Sequence, residues 1–141
     1  MIVIFDIDGT LADVTEILPL WQVAKEAFWR SVGEAVVIEP MRKLYHALFE
    51  SGHDICFYTA RPEKIRDTTI KWLEKNGVFC EKLLMAKDND IRHDIEIKLE
   101  MLRENDLTPD NVAFIVEDRS CIVEALRKAG YTVLQCAEGE Y

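Results

Sequence analysis

The chain has 141 residues, of which 49% are hydrophobic and 30% are charged, and its formal net charge is −9. This length and composition predict one ordinary globular domain over residues 1–141 with a substantial core. The negative charge argues against a protein that holds nucleic acid on a broad basic surface, although it leaves room for a local basic site or a bound divalent cation.

No apolar run approaches the roughly 18 residues that a membrane span needs. The first apolar run has no basic region before it and meets Asp6 too early to be a signal peptide. We therefore expect a cytoplasmic protein that makes no membrane contact.

Strand patterns and helix patterns alternate along the chain. In chain order the sequence predicts a strand at 1–5, a helix at 15–31, a loop as the working assignment at 32–38, a helix at 40–50, a strand at 55–58, a helix at 63–75, a strand at 82–85, a helix at 90–103, a strand at 111–116, a helix at 121–128 and a strand at 131–134. This alternation predicts an α/β fold in which right-handed crossovers join parallel strands.

The predicted helix at 15–31 carries Trp21, Phe28 and Trp29 among apolar residues at helical spacing. Such a stripe packs into a core more often than it binds a ligand. We therefore expect these rings to belong to the core, with a ligand-binding surface as the alternative.

Polar residues follow three of the predicted strands. Strand by strand they are Asp6 and Asp8, Thr59 and Arg61, and Glu117 and Asp118. One acidic strand end alone would suit a surface turn. Because ligands bind beyond the carboxyl ends of parallel strands, we expect the three groups to converge on one site.

Clustered carboxylates at strand ends suit Mg²⁺, which prefers hard oxygen ligands. Asp6 or Asp8, together with Asp118, are the candidate ligands, and a carboxylate beside a bound phosphate can attack it to form an aspartyl-phosphate. Asp94 and Lys98 stand four residues apart on one predicted helix. That spacing alone predicts only a surface ion pair.

The segment FDIDGT at residues 5–10 resembles the DxDxT first motif of the haloacid dehalogenase (HAD) phosphatase superfamily. Thr59, Lys98 and the pair Glu117-Asp118 resemble its second, third and fourth motifs. The segments FDIDGTLAD, TARP, DIRHDIEIK and VEDRSCIVEALRKAGYTVLQCAEGEY are similar to the 3'-phosphatase domains of bacteriophage polynucleotide kinase-phosphatases. No GxxxxGK[ST] P-loop occurs in these residues, so kinase activity is not predicted.

The resemblance implies a three-layer Rossmann-like HAD fold with a central parallel sheet. The stretch between Asp6 and Thr59 has room for only two helices, which implies a minimal cap or none. The implied activity is a Mg²⁺-dependent phosphomonoesterase that acts through an aspartyl-phosphate, with a phosphorylated nucleic-acid end or a nucleotide as substrate.

The resemblance also implies roles for individual residues. Asp6 would be the nucleophile, and Asp8 would be the general acid-base whose backbone carbonyl also binds Mg²⁺. Lys98 would neutralise the nucleophile and the phosphate, with Asp94 orienting it. Asp118 would be a direct metal ligand.

Three further residues are assigned to the substrate. Thr59 would bind a phosphate oxygen through its hydroxyl, and Arg61 matches an arginine that the phage enzymes place at the phosphate. Arg92 and Arg119 each flank a motif and are candidate substrate contacts, with a plain surface role as the alternative.

Thr10 completes the first motif and takes a supporting role. Glu117 departs from the phage pattern, which has two adjacent aspartates at this point. We expect its longer side chain to reach metal-bound water, with a solvated strand-end acid as the alternative.

The sequence is compatible with other functions as well. The net charge of −9 favours a mononucleotide or another small phosphomonoester over a polymer. A catalytically silent binding module of the same fold is disfavoured, because Asp6, Asp8, Lys98 and Asp118 are all present. A receiver-type phosphoacceptor domain also uses acids, a threonine and a lysine at strand ends, but its acceptor normally lies on an inner strand, and the DIDGT segment that begins at residue 6 does not resemble it. The sequence does not indicate an oligomeric state.

Overall fold

The computed structural model describes all of residues 1–141 and contains seven strands and six α-helices. The strands are β1 (Ile2–Phe5), β2 (Ala12–Asp13), β3 (Val36–Val37), β4 (Asp54–Pro62), β5 (Lys82–Ala86), β6 (Val112–Arg119) and β7 (Val133–Gly139). The helices are α1 (Leu18–Val23), α2 (Lys25–Ser31), α3 (Glu39–Glu50), α4 (Arg66–Lys75), α5 (Asp94–Glu104) and α6 (Ser120–Lys128). None of these helices is both long and apolar enough to cross a membrane.

Five strands form one sheet in the order β5-β4-β1-β6-β7, and every neighbouring pair is parallel. The predicted α/β fold with a central parallel sheet is therefore confirmed. Phe5 on β1 is in register with Phe57 on β4 and with Val116 on β6. The carboxyl end of β1 consequently lies level with its two neighbours, where ligands bind in such sheets.

Helices cover both faces of the sheet. Val3 and Phe5 pack with Tyr45 of α3 and Trp72 of α4 on one face. Ile4 points to the opposite face and packs with residues of α5 and α6. Successive side chains of a strand alternate between faces, so a strand covered on both sides is apolar throughout, as β1 is.

A small insertion lies between β1 and α3. Its ends, β2 and β3, pair antiparallel, and α1 and α2 lie between them. The single helix predicted at 15–31 is wrong, because the chain breaks at Ala24, whose φ of −156° and ψ of 72° are not helical. The break brings the rings of Trp21 and Trp29 within 5.2 Å. Eight residues of unbroken helix would separate them by about 12 Å along the axis.

Other boundaries shift by a few residues. The predicted loop at 32–38 contains a 3₁₀ turn, Val32–Glu34, and β3. The predicted helix at 63–75 begins with a second 3₁₀ turn, Glu63–Ile65, before α4. Helix α5 begins four residues later than predicted, because Nδ1 of His93 caps it by accepting a hydrogen bond from the backbone N–H of Ile95.

The ends of the strands matter most for the site. Strand β4 continues to Pro62, and β6 continues to Arg119. The polar residues at 59, 61, 117 and 118 therefore lie within strands, not after them. Their backbone is fixed by the sheet, which holds functional side chains more rigidly than a loop does.

Candidate active site

Asp6 lies at the carboxyl end of the central strand and is buried. Its backbone N–H donates to the carbonyl of Val116 at 3.0 Å and extends the β1 ladder by one residue. One step beyond the Phe5 register, Asp6 is level with Tyr58 on β4 and Glu117 on β6. Level residues of parallel strands point to the same face, so these three side chains converge beneath α5.

A tight turn at Gly9 returns the chain to Asp6. The φ of Gly9 is +84°, and a Cβ at this position would overlap the Asp118 carboxylate and the Tyr141 hydroxyl. Only glycine meets both conditions without strain. The turn brings the Thr10 hydroxyl to Asp6, where it donates to Oδ2 at 3.1 Å.

Lys98 reaches this cluster from α5 and is only 3% exposed. Its Nζ donates to Oδ1 of Asp6 and to Oε2 of Glu117, each at 2.8 Å, and lies 4.4 Å from the centre of the Tyr58 ring. The surface ion pair with Asp94 that helical spacing alone predicted does not form. The carboxylate of Asp94 instead accepts a hydrogen bond from Nη1 of Arg119 on β6.

Glu117 is fully buried, so the alternative of a solvated strand-end acid is wrong. Its Oε2 accepts hydrogen bonds from the hydroxyl of Tyr58 at 2.7 Å and from Lys98. Its Oε1 accepts from the backbone N–H groups of Asp118 and Arg119 at 3.3 and 3.4 Å. Protein donors therefore engage both oxygens, and Glu117 acts in this structure as the second anchor of Lys98.

Arg61 is also fully buried and holds the carboxylate of Asp8. Its Nε donates to Oδ2 at 2.9 Å, and its Nη2 donates to Oδ1 at 2.6 Å. Its third arm, Nη1, donates to the hydroxyl of Thr69 on α4 at 3.1 Å. The hydroxyl of Thr59 accepts the backbone N–H of Arg61 at 3.1 Å. The sequence did not reveal the partnership between Arg61 and Asp8.

Asp118 and Tyr141 contact each other next to the Arg61–Asp8 pair. The Tyr141 hydroxyl lies 2.6 Å from Oδ2 of Asp118 and 3.2 Å from the backbone carbonyl of Asp8. Arg119 fixes Tyr141 by donating to its carbonyl at 2.7 Å and by placing its guanidinium over the ring. Tyr141 was not predicted as a site residue, although it ends the last segment that carries the family resemblance.

The arrangement of acidic oxygens suits a hard divalent cation. Single oxygens of Asp6, Glu117 and Asp118 lie within 4.8 Å of one another. Oδ1 of Asp118 is buried and has no hydrogen-bond partner. A buried acceptor without a donor needs an explanation, and a cation bound by oxygen ligands supplies one.

The Lys98 ammonium is surrounded by three carboxylates, those of Asp6, Glu117 and Asp118. The pKa values of these four groups reflect their burial and their mutual charges. Burial raises the pKa of Asp6 well above its usual value, with the charge of Glu117 adding to the effect, and burial raises the pKa of Asp118 to about 6. Burial opposes the charged form of Lys98, but Asp6 and Glu117 outweigh it and leave its pKa above the usual value. Burial likewise disfavours the charged form of Glu117, yet Lys98 holds its pKa low. A cation would offset the remaining negative charge.

An open cleft of about 800 Å³ stands over this cluster. Of the polar site residues expected from the sequence, those that line it are Asp6, Asp8, Thr59, Arg61, Arg92, Asp94, Lys98 and Arg119. Thr10 and Glu117 contact these residues from behind, and Asp118 contacts the lining residue Tyr141. The expected convergence of the strand-end groups is thus observed, and it extends to Lys98.

Arg92 is an exposed residue of the cleft rim. Its guanidinium donates to Asp90 at 2.7 Å and also pairs with Glu100. Trp21 and Trp29 line the same cleft and are half-buried, so the expectation that they belong to the core is wrong.

Similar proteins identify the family and the fold. Residues 1–141 match the family described as the polynucleotide kinase PNKP phosphatase domain. A chain in the structure of the Pnkp1/Rnl/Hen1 complex is similar with a TM-score of 0.85 and 24% identity over 99% of this chain and 46% of that one. A putative beta-phosphoglucomutase from Thermotoga maritima is similar with a TM-score of 0.63 and 19% identity, over 95% of this chain and 84% of that one.

The class C acid phosphatase from Bacillus anthracis has a TM-score of 0.69 and 14% identity, over 99% of this chain and 66% of that one. The chain spans less than half the length of the Pnkp1/Rnl/Hen1 chains that it matches. These identities show a shared HAD fold, while the family match covers the whole sequence. The chain therefore belongs to the PNKP-type phosphatase domains of the HAD hydrolases.

Proposed function

We propose that this chain is a Mg²⁺-dependent phosphomonoesterase that forms an aspartyl-phosphate on Asp6 and removes the 3'-phosphate from polynucleotide ends. One observation carries the proposal. Asp6 lines the open cleft with Lys98 on one oxygen and Thr10 on the other, and Asp8 lies two residues further along. Residues 1–141 act as one domain in this reaction.

The carboxylates of Asp6 and Asp8 have different roles in the reaction. A carboxylate oxygen of Asp6 attacks phosphorus, and the bond from phosphorus to the 3' oxygen breaks as the aspartyl-phosphate forms. Asp8 gives its proton to that leaving oxygen. The ionised Asp8 then takes a proton from water, the water oxygen attacks phosphorus, and inorganic phosphate leaves while Asp6 is restored.

The surrounding residues prepare these two groups. Lys98 donates to Asp6 and partly counters the burial that raises the pKa of this carboxyl, and Glu117 and Tyr58 fix the position of Lys98. Arg61 fixes the plane of the Asp8 carboxylate, which still keeps lone pairs for a proton. The Thr59 hydroxyl binds a phosphate oxygen when the substrate enters, and so do the two N–H groups of Arg61 that Asp8 and Thr69 leave free.

The carboxylates of Asp6 and Asp118 and the backbone carbonyl of Asp8 would hold Mg²⁺. The ion would supply positive charge beside the transferring phosphoryl group. The buried, unpartnered Oδ1 of Asp118 supports this assignment. Asp94 acts through Arg119, which it pairs with, and not through Lys98.

The polynucleotide substrate is supported by two observations. The family match is to the phosphatase domain of a polynucleotide kinase, and similar chains come from an RNA repair complex. The cleft is also open above Asp6, with Arg92 at its rim. An open cleft admits the end of a polymer, and a rim arginine can contact its backbone.

A second candidate is a phosphatase of mononucleotides or other small phosphomonoesters. The net charge of −9 favours it, as does the acidic partner of each arginine in the cleft. The chemistry on Asp6 is the same in both cases. Only the extent of the bound substrate differs.

Phosphate release from a 3'-phosphorylated oligonucleotide and from the matching 3'-mononucleotide tests the proposal, each with Mg²⁺ and with EDTA. We expect the oligonucleotide to be preferred, and we expect EDTA and Asp6→Asn each to abolish release. Equal or better turnover of the mononucleotide would favour the second candidate. No release from either would overturn the enzymatic assignment and revive the silent binding module.

A further inference from the structure

Three aromatic rings form a cluster on the insertion that carries α1 and α2. The centroids of Trp21, Phe28 and Trp29 lie 4.9–5.4 Å apart in edge-to-face pairs. None of the three belongs to the two cores that sandwich the sheet. Phe28 is buried, but Trp21 and Trp29 keep part of their surface exposed. Phe28 thus supports two indoles that remain accessible.

The two indoles lie on the wall of the cleft that contains Asp6 and Asp8. The break at Ala24 is what brings them together, since it folds α2 back on α1. Other residues of the same wall are apolar as well, among them Leu18, Pro19 and Val23. An apolar wall above a cluster of carboxylates has no role in binding a phosphate group alone.

The remaining wall of the cleft is charged. Arg92 and Arg119 line it, each paired with a carboxylate, and Arg61 and Lys98 line the base of the site. The volume of about 800 Å³ falls within the range that encloses an organic ligand and is much larger than a phosphate needs. A nucleotide satisfies both walls, because it joins a flat apolar base to phosphate through a sugar.

We infer that Trp21 and Trp29 form a stacking surface for the nucleobase of the nucleotide that carries the reacting phosphate. This inference rests on the proposed function and specifies its substrate as nucleoside 3'-phosphates within or outside a polymer, not sugar or other base-free phosphates. Stacking on aromatic side chains accepts every base, because each base has a π-face. The surface therefore selects for a base without selecting its identity.

Two oligonucleotides that differ only in the last nucleotide test the inference. One carries a normal 3'-terminal nucleotide 3'-phosphate, and the other carries the same phosphate on an abasic residue. Base stacking on an aromatic side chain predicts a preference of about tenfold in kcat/KM for the first. Each enzyme variant is scored by this ratio, so a general loss of activity cancels.

We expect the ratio to fall towards one in Trp21→Ala and Trp29→Ala and to be kept in Trp29→Phe, which preserves a ring. Phe79→Ala is the matched control, because Phe79 is an aromatic residue exposed to 62% that does not line the cleft. A wild-type ratio of one, or a ratio unchanged by the alanine substitutions, would overturn the inference.

Fluorescence gives a second measurement that needs no turnover. The chain has three tryptophans, and Trp72 is buried in the core away from the cleft. In the Asp6→Asn variant, a 3'-phosphorylated oligonucleotide should quench the emission, and quenching should disappear when Trp21 and Trp29 are both replaced by phenylalanine. Quenching without any phosphate release by the wild type would overturn the proposed function and support the stacking surface. Absence of quenching in a folded variant would overturn the stacking surface alone.

Discussion

Arg61 and Asp8 form a two-point ion pair across 53 residues of sequence, with hydrogen bonds of 2.9 and 2.6 Å. The guanidinium fork fixes the plane of the carboxylate as well as its position. A lysine at the same place would keep the charge but could not provide two parallel donors. The ion pair therefore fixes the orientation of the Asp8 carboxylate.

We expect Arg61→Lys to lower kcat for phosphate release about 100-fold, the lower end of what a well-positioned acid-base group contributes. Arg66→Lys is the matched control, because Arg66 makes a similar two-point pair with Glu63 on the surface. Activity should survive that change. Equal activity of the Arg61→Lys variant and the wild type would show that Asp8 needs no such partner.

Glu117 couples Lys98 to Tyr58, so the Tyr58 hydroxyl should matter only while Glu117 is present. Hydrogen bonds to a charged group contribute about 1.5–3 kcal/mol, and we expect Tyr58→Phe to lower the free energy of unfolding by about this amount. In a Glu117→Asp background the shorter side chain no longer reaches the Tyr58 hydroxyl. Tyr58→Phe should then lower the free energy of unfolding by much less. Urea unfolding of the four proteins in the cycle measures this coupling.

Tyr45→Phe serves as the comparison for that cycle. The hydroxyl of Tyr45 bonds to the backbone of Phe79, a neutral partner, so its loss should cost about 1 kcal/mol. That cost should be the same with Glu117 or with aspartate. Additive effects of Tyr58→Phe and Glu117→Asp would contradict the coupling.

The convergence at the sheet edge was predictable, because it follows from the parallel topology alone. Asp6, Thr59 and Glu117 each stand at the carboxyl end of an apolar run, and parallel strands bring such ends together. The position of Lys98 in the site was implied only by the family resemblance. Helical spacing by itself paired it with Asp94.

The partners of these residues were not predictable, because they depend on register and on local breaks in the chain. Tyr58 reaches Glu117 only because both are level with Asp6 on neighbouring strands. The exposure of Trp21 and Trp29 depends on the non-helical backbone of Ala24. Neither a one-residue register nor a single dihedral angle is encoded in apolar periodicity.

The hydroxyl of Tyr141 contacts two of the groups assigned to Mg²⁺, the carboxylate of Asp118 through Oδ2 and the carbonyl of Asp8. The phenol and the cation therefore compete. Removing the hydroxyl in Tyr141→Phe should tighten Mg²⁺ binding about tenfold, since a hydrogen bond to a charged group no longer has to be broken. A Mg²⁺ titration followed by calorimetry gives the two dissociation constants. Tyr131→Phe, which loses a hydroxyl bonded to the Leu107 carbonyl, should leave the constant unchanged.

Mg²⁺ should stabilise the protein more at neutral than at acidic pH. Burial raises the pKa of Asp118 from its usual 3.8 to about 6 in the folded chain. Between these values the folded state holds a proton that the unfolded state has released. Without metal, this group therefore lowers stability as pH rises, by roughly 3 kcal/mol in all.

Mg²⁺ requires the ionised carboxylate of Asp118 and offsets the loss of stability that its ionisation causes. The stabilisation of the protein by Mg²⁺ should therefore grow as pH rises through the same window. Urea unfolding at about pH 5 and about pH 7.5, with and without Mg²⁺, measures the difference. In Asp118→Asn the dependence of the Mg²⁺ effect on pH should weaken, and the part that remains should come from Asp6, whose pKa burial also raises. An equal Mg²⁺ effect at both pH values in the wild type would show that Asp118 is not a ligand.

A comparison of substitutions at Gly9 and Gly52 distinguishes the loss of stability from backbone strain from the loss caused by crowding the site. Their φ angles are nearly equal, at +84° and +86°, but a Cβ on Gly52 meets no atom within 4 Å. Gly52→Ala should therefore cost only the strain of the left-handed region, about 1–2 kcal/mol of unfolding free energy. A Cβ on Gly9 would in addition overlap the carboxylate of Asp118.

We expect Gly9→Ala to cost more stability than Gly52→Ala and to weaken Mg²⁺ binding, because the displaced carboxylate is the one assigned to the cation. Thermal unfolding and a Mg²⁺ titration on both variants test this pair of effects. Equal losses of stability with unchanged Mg²⁺ affinity would mean that Asp118 moves aside at no cost. The close approach of Gly9 would then serve the turn alone, and position 9 would need glycine only for the backbone angle.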